Sequence, residues 1–185
     1  MENNRLNRKF VIRDVTDSDF WFYIKCFSDN SWFHKYGLND KIDLLKYANN
    51  ALFGNYPYVK RKILQYSESI SPLGFFHIDL IDESEKTCIL SGGIDPFLLN
   101  SGIGIKLACI AIDYIFGNHK VLSILADVCK HNDTSFRMLQ RIGFLIIDFK
   151  LNEKNTEKIR LKLEKNLFPN FFVNTLLKKI SYEKR

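Results

Sequence analysis

Apolar and polar residues alternate along this chain with two different periods. Segments with strand-like alternation and many β-branched or aromatic residues predict strands, and dense apolar faces at helical spacing predict helices. In chain order the predicted elements are a strand at 10–15, a helix from Thr16 or Asp17 to about Phe27, a helix at 40–53, strands at 62–66, 73–81 and 86–94, a helix at 102–116, a strand at 121–128, a helix at 134–142, strands at 144–149 and 158–163, and a terminal helix at 168–180. This order predicts an α+β fold built on a mixed sheet of about seven strands, flanked by helices.

Residues typical of caps and turns separate these segments. Asn39 or Asp40 is expected to cap the second helix, Gly117 and Asn118 to end the third, and Gly143 to end the fourth. A polar turn at 82–85 is expected to join the third and fourth strands into an antiparallel meander.

The length and composition are those of one folded domain. The chain has 185 residues, of which 46% are apolar, enough for a single full-sized core. No internal repeat or Gly/Ser linker divides the chain, so we assign residues 1–185 to one domain whose last segment, 166–185, is a basic helix or tail. No apolar run approaches the roughly 20 residues of a membrane-spanning helix, and the first residues lack the apolar region of a signal peptide. The expected location is the cytoplasm.

The four cysteines, Cys26, Cys88, Cys109 and Cys129, are irregularly spaced and include no C-x-x-C pair. This spacing argues against a zinc site and against a disulfide scaffold. We therefore predict no metal site, and we predict that three of the cysteines, which lie in apolar stretches, are reduced and buried.

The net charge of +6 comes from the last part of the chain, where residues 150–185 include 10 basic and 4 acidic residues. Such a segment either attracts a polyphosphate ligand, nucleic acid or anionic lipid, or is a solvated lysine-rich edge. We prefer the solvated edge, so nucleic acid is not an expected partner.

The candidate chemistry lies in a glycine-containing loop, 100–104, between a predicted strand and a predicted helix. Amides at the start of a helix lack internal partners and, with the helix dipole, bind anions, while glycine lets the backbone approach a phosphate. A dinucleotide-binding fingerprint would need a third glycine where Leu107 stands, and a P-loop would need Gly-Lys-Ser/Thr. The loop alone predicts a phosphate site without identifying the ligand.

A larger pattern around this loop resembles the GNAT acetyltransferases. The family's coenzyme-binding signature begins at a proline and ends in G-x-G/A, and its counterpart runs from Pro96 to Gly104. Downstream, the family shows a strand, N-x-x-S/A and Gly-Phe, matched here by Val128, Asn132, Ser135, Gly143 and Phe144; the opening residues 11–17 resemble the family's first strand and turn. The resemblance covers most of the chain, and its specificity lies in having both motifs at the right spacing.

The resemblance implies a site for acetyl-coenzyme A (acetyl-CoA). The pantetheine arm would run between splayed fourth and fifth strands, with Asn132 and Ser135 beside the thioester. An N–H at a β-bulge around Gly93 and Ile94 would polarise the thioester carbonyl. The pyrophosphate would lie on the amides of the loop and first helical turn, namely Asn100, Ser101, Gly102, Ile103, Gly104 and Ile105.

Three parts of the sequence depart from the family's pattern. Leu99 stands where Arg or Gln is usual, so Lys106 or a lysine of the tail would have to supply the missing charge near the phosphates. Leu139 stands where a tyrosine frequently protonates the departing thiolate. Residues 88–91, which align with a common glutamate, are neutral. The donor site is therefore better defined than the groups that move protons.

Direct transfer to an amine requires removal of the ammonium proton and stabilisation of the oxyanion and thiolate. His77 is the leading base because its usual pKa is near neutral and it lies mid-strand, with a half-buried structural histidine as the alternative. Asp95 would relay a proton through water, unless it only forms the turn before Pro96. Ser135 would hydrogen-bond the thiolate, unless it only caps a helix.

Other residues are weaker candidates. His131 lies next to the Asn of the second motif but also suits a strand end. An aromatic segment with Trp32, His34 and Tyr36 would line the acceptor pocket or belong to the core. Cys129 as an acyl-carrying nucleophile has no assignable activating partner.

The function implied by the resemblance is N-acetylation of a small primary amine by acetyl-CoA. The acceptor we expect first is a nucleotide-linked amino sugar, and the second is a protein N-terminus, as in ribosomal-protein acetyltransferases. A nucleotide sugar predicts a closed pocket with basic and aromatic lining, whereas a peptide predicts an open groove flanked by acidic side chains. The alternative is a non-catalytic coenzyme A-binding module on the same fold. The sequence leaves open whether the protein forms a homodimer.

Overall fold

The computed structural model describes residues 9–29, 43–82, 86–151, 157–168 and 182–184. The strands in these ranges are β1 (Phe10–Asp14), β2 (Val59–Tyr66), β3 (Pro72–Asp82), β4 (Thr87–Ile94), β5 (Ser123–Cys129), β6 (Leu145–Leu151), β7 (Glu157–Glu164) and β8 (Tyr182–Lys184). The helices are α1 (Phe20–Ser28), α2 (Leu44–Phe53), α3 (Ile103–Asn118) and α4 (Asp133–Ile142). Short 3-10 turns occur at Asp17–Asp19, Pro96–Leu98 and Lys165–Leu167.

All the described strands belong to one sheet. Their order is β6-β7-β5-β4-β3-β2-β1-β8. Neighbours are antiparallel except for β4 with β5 and β1 with β8, which are parallel. The predicted mixed sheet of about seven strands is confirmed, as is the order along the chain of β1 to β7 and α1 to α4. β8 was not predicted, because three residues carry too short a pattern for a period to be recognised.

The sheet has an apolar core on each face. Successive side chains of β3 point to opposite faces of the sheet and so belong to different cores. Phe76 and Ile78 belong to the core under α3 and α4. Phe75 joins the core under α1 and α2 instead. Seven of the sixteen residues of α3 are buried and six more are half-buried, so its apolar residues form a broad face rather than a narrow stripe.

Two arginines attach the helices of the second face to the sheet. The Arg13 guanidinium donates to both carboxylate oxygens of Asp19 at 2.7 Å, which joins β1 to the turn before α1. Burial would raise the pKa of Asp19, but Arg13 and the Thr16 amide together hold that pKa below its usual value. On β2, Arg61 donates to backbone carbonyls at the end of α2 at 2.6 and 2.9 Å.

The helix ends can be compared with the prediction only in part. In the described range, α2 starts after Asp43, which accepts a hydrogen bond from the Lys46 amide; residues 39–42, where we expected the cap, lie outside the described residues. α3 ends at Asn118, one of the two residues expected to end it, and the Asn118 side chain donates to the Tyr114 carbonyl. Most of the predicted terminal helix and of the polar turn at 82–85 lie outside the described residues.

The four thiols are buried and unpaired, which confirms the prediction made for three of them. Burial raises the pKa values of Cys26, Cys88 and Cys109 to about 12. These groups are therefore protonated, inert parts of the core. Among the described helices, none combines the length and the apolar character needed to cross a bilayer.

Candidate active site

β4 and β5 separate part-way along their length. They pair only between residues 87–89 and 123–125, and beyond these positions the two strands diverge. The gap contains a cavity of about 590 Å³, which is walled by the second half of β4, the end of β5, the start of α3 and one side of α4. The expected splay of the fourth and fifth strands is therefore confirmed.

The glycine loop opens onto this cavity. Asn100 and Gly102 both have positive φ values, 62° and 78°, a conformation that asparagine and glycine tolerate best. Gly102 is the residue that precedes α3. Among the described residues, the amides of Gly102, Gly104 and Ile105 have no hydrogen-bond partner, so they are available to an anion.

Three other polar groups of the loop and first helical turn make hydrogen bonds within the turn itself. The Ser101 amide and hydroxyl both donate to the Leu98 carbonyl, at 3.2 and 2.6 Å. The Ile103 amide donates weakly to the Ser101 hydroxyl at 3.4 Å. Of the amides expected to hold the pyrophosphate, that of Ser101 therefore shapes the loop instead.

The predicted β-bulge around Gly93 and Ile94 is absent. β3 and β4 keep one register from Ile94 back to Cys88. The Asp95 amide donates to the Leu73 carbonyl on the β3 side. Because amides alternate in direction along a strand, the Ile94 N–H points into the gap left by β5. The splay, rather than a bulge, exposes this amide to the cavity.

The start of α4 forms another part of the wall. Asn132 is buried, and its side-chain oxygen accepts a hydrogen bond from the Ser135 amide at 3.2 Å. The capping role that we weighed for Ser135 thus belongs to Asn132. The Ser135 hydroxyl faces the cavity with no hydrogen-bond partner among the described residues. At the other end, Gly143 ends α4 as predicted, with a φ of 114°.

Comparison with known proteins identifies solved structures of similar fold. No known family model matches the sequence. Among solved structures, a spermidine N-acetyltransferase from Vibrio cholerae bound to CoA and spermine is 15% identical, with a TM-score of 0.72 over 88% of this chain and 99% of that chain. An aminoglycoside acetyltransferase bound to coenzyme A is 14% identical, with a TM-score of 0.72 over 86% and 97%. An uncharacterized protein from Bacillus halodurans is 17% identical, with a TM-score of 0.77 over 94% and 93%.

The protein has the GNAT fold. At these identities the likeness establishes the architecture and not the chemistry. The roles of individual side chains must be judged from their surroundings.

His77 lies within the aromatic network under α1, away from the wall of the GNAT cavity. Its Nε2 is 2.7 Å from the hydroxyl of Tyr23, and its ring stacks on the Tyr23 ring. Burial, with the nearby positive charge of Arg61, lowers the pKa of His77 to about 4. A histidine that is neutral at pH 7 and hydrogen-bonded to a buried tyrosine fits the structural alternative better than the catalytic one.

Asp95 is also occupied by structural contacts. One carboxylate oxygen accepts from the Lys25 ammonium at 2.6 Å, and the other accepts from the Phe97 amide at 3.0 Å. This side chain fixes the turn into the glycine loop and joins it to α1. To relay a proton, the Asp95 carboxylate would first have to break its hydrogen bonds with Lys25 and Phe97.

The remaining candidates have different positions. Cys129 lines the cavity, but burial raises the pKa of its thiol, which disfavours the thiolate needed by a nucleophile. His131 is exposed and does not line the cavity. Residues 32–36, with the expected acceptor-pocket aromatics, lie outside the described residues.

The cavity wall carries a positive charge that sequence reasoning missed. Arg137, Arg141 and Lys158 line it, and none of them has an ion pair with the described part of the chain. The acid on the wall, Asp127, receives two hydrogen bonds of 2.6 Å from Arg160. In the sequence these bases look like ordinary surface residues, and only the four-residue spacing of the two arginines indicates a shared helix face.

Proposed function

We propose that this protein is an acetyl-CoA-dependent N-acetyltransferase that transfers the acetyl group directly to a primary amine. One observation carries the proposal: the cavity between β4 and β5 opens onto the unpaired amides that begin α3. A long, thin donor with a phosphate end and a thioester end suits such a cavity. The solved structures of similar fold that contain coenzyme A add support.

The donor would lie with its pyrophosphate on Gly102, Gly104 and Ile105, where amides and helix dipole favour negative charge. The pantetheine arm would pass between the strands toward Asn132 and Ser135. The Ile94 N–H would donate to the thioester oxygen and stabilise the oxyanion as it forms.

The reaction needs few catalytic side chains. The amine nitrogen attacks the thioester carbon, a C–N bond forms, the C–S bond breaks, and coenzyme A leaves as a thiolate. Water accepts the ammonium proton before the attack. The second proton leaves the nitrogen to water as the C–S bond breaks, and solvent then protonates the thiolate, which meanwhile accepts a hydrogen bond from the Ser135 hydroxyl. Positioning and oxyanion stabilisation then carry most of the rate enhancement.

The acceptor we propose is an amine attached to an anionic carrier, with a nucleotide-linked amino sugar as the first example. Lys158 carries the support for this choice. It lies on β7 opposite Cys129 of β5, at the wall of the cavity, and has no ion pair among the described residues. Asp127, the neighbouring acid, is neutralised by Arg160. The positive charge of Lys158 would repel a polycationic acceptor and attract a diphosphate.

Release of free thiol from acetyl-CoA tests the proposal. The acceptors are a nucleoside diphosphate-linked amino sugar, spermidine, an aminoglycoside and a peptide with a free N-terminus. We expect kcat/KM for the sugar nucleotide to exceed that for spermidine at least tenfold. Preference for a polyamine or a peptide would overturn the acceptor proposal, and coenzyme A binding without turnover on any amine would identify a non-catalytic module.

A pair of variants on β7 sharpens the acceptor test. Lys158→Gln should raise KM for the sugar nucleotide about tenfold with little change in kcat, since it removes binding charge that is present throughout the reaction. Lys162→Gln is the matched control, because Lys162 lies on the same strand and bonds to Glu164 outside the cavity. Equal effects of the two substitutions would contradict a specific role for Lys158.

A further inference from the structure

Arg137 and Arg141 form an unassigned pair of cations on α4. They lie one helical turn apart, so their side chains project from the same face. Both are exposed, and neither makes an ion pair or a hydrogen bond with the described part of the chain. With Gln140 they line a shallow depression that adjoins the cavity, and both also line the cavity itself.

The pair lies across from the glycine loop. A Cβ placed on Gly104 would be 3.9 Å from the sulfur of Met138, the residue after Arg137. The start of α3 and this side of α4 are therefore in contact at the phosphate end of the cavity. Arg137 and Arg141 line the same cavity as Gly102, Gly104 and Ile105, so the two cations and the α3 amides share one opening.

Leu99 explains why charge is needed from α4. It packs against the apolar cluster under α1 and α2 and offers no hydrogen bond to a phosphate. Lys106, the other cation considered from the sequence, is exposed and does not line the cavity. The described cations that face the cavity from the side of α4 are Arg137 and Arg141.

We propose that Arg137 and Arg141 form a subsite for a phosphate monoester, the 3′-phosphate on the ribose of coenzyme A. This proposal rests on the proposed function. A monoester carries nearly two negative charges near pH 7 and presents three oxygens, which two forked guanidinium groups can match. The pyrophosphate occupies the α3 amides, and the ribose phosphate reaches the depression beside Gln140. The subsite distinguishes coenzyme A from donors that lack this phosphate.

Calorimetric titration of the full chain with coenzyme A and with dephospho-coenzyme A tests the subsite. We expect the wild type to bind coenzyme A at least tenfold more tightly. The double variant Arg137→Gln/Arg141→Gln should bind both ligands within threefold of each other and should keep the wild-type affinity for dephospho-coenzyme A. Because both side chains are exposed, the thermal midpoint should not change.

Two further variants make the outcomes distinct. Lys120→Gln, at the far end of α3, is the matched control and should leave the tenfold preference intact. If Lys106→Gln removes the preference instead, or if the wild type binds both ligands equally, the arginine subsite is overturned while the donor site stands. If the wild type binds neither ligand, the proposed function itself fails.

A different observation points to an interaction surface on β6. Among the described strands β6 pairs only with β7 and forms an edge of the sheet. Exposed apolar side chains, 42 to 71% accessible, occupy most of its length: Leu145, Ile146, Ile147, Phe149 and Leu151. Sheet edges of monomeric proteins usually avoid such a row, because it invites pairing with another strand.

We infer that β6 pairs with β6 of a second copy of this chain. An antiparallel pair with its two-fold axis at Phe149 places Asp148 of each copy opposite Lys150 of the other. This pair uses the regular part of the strand, because the β6–β7 ladder shifts register between Ile146 and Asp148. Opposite charges thus meet on both sides of Phe149, which faces its own copy, and such cross-strand pairs stabilise an antiparallel strand pair. The charge pattern of β6 is complementary to itself, and this favours a second copy over an unrelated partner.

Sedimentation equilibrium tests this interface. We expect a dimer for the wild type and at least tenfold weaker association for Phe149→Asp. Ile70→Asp is the matched control, since Ile70 is 93% exposed in the turn between β2 and β3. Lys150→Asp should also weaken association, and the double exchange Asp148→Lys/Lys150→Asp should restore it. A monomeric wild type, or a dimer unaffected by Phe149→Asp, would overturn the inference.

Discussion

Burial decides which side chains near the cavity take part in acid–base chemistry. His77 has the residue type and strand position of a base, yet its hydrogen bond to Tyr23 and its low pKa of about 4 oppose that role. We expect His77→Gln to keep kcat/KM within about threefold of the wild type, since loss of a general base costs roughly 10²- to 10⁴-fold. The measurement is kcat/KM between pH 5 and 9 for both proteins.

The pH dependence of the free energy of unfolding should reflect the same low pKa of His77. Because the folded-state pKa of His77 lies below the usual value of about 6.5, the neutral imidazole contributes stability that is complete above that usual value. The contribution is lost as the pH falls from about 6.5 through 4. A hundredfold loss of activity in His77→Gln, or an NMR titration of His77 near pH 6.5, would contradict this assignment.

Residue types in the sequence indicated the donor site but not the charged groups around it. The two glycines were recognisable because glycine at a helix start lets the backbone approach a phosphate, and Asn132 was recognisable from the family's second motif. Lys158 and the arginines of α4 were not, since their role depends on which face of β7 or α4 meets the gap. That depends on packing between elements distant in the sequence.

At the scale of elements, the cap of α4 links stability to the site. Asn132 holds the first turn through its bond to the Ser135 amide. Asn132→Ala should lower the free energy of unfolding by about 1 kcal/mol, measured by urea denaturation. Asn132→Asp retains an oxygen acceptor and should be nearly as stable as the wild type. An alanine variant as stable as the wild type would show that the cap contributes nothing.

The element order was predictable because strong apolar periods mark β1 to β7 and α1 to α4. Local details were less accessible. Every described side chain of β6 is exposed, although an apolar strand is expected to be buried, and the sequence pattern cannot distinguish these two cases. The prediction of a β-bulge at Ile94 was wrong. The divergence of β5 from β4 exposes the Ile94 amide without a bulge.

The whole molecule is arranged around the point where β4 and β5 separate. Parallel pairing over three residues holds the two halves of the sheet together, and α3 and α4 place amides and cations at one end of the gap. The central claim is that coenzyme A occupies this gap with its phosphates against α3.

Calorimetric titration of coenzyme A into the Gly104→Val variant tests that claim most directly. The family's signature accepts only Gly or Ala at this position, so a side chain larger than alanine is needed. The valine Cβ would lie 3.6 Å from Ile94 and 3.9 Å from Met138, both flexible side-chain ends, and its γ-methyl groups would occupy space through which the phosphate must approach the backbone. Gly117→Val on the same helix is the control, since its Cβ meets open space. We predict at least tenfold weaker binding for Gly104→Val and unchanged binding for Gly117→Val; a wild type that does not bind coenzyme A, or equal affinities in all three proteins, would contradict the account.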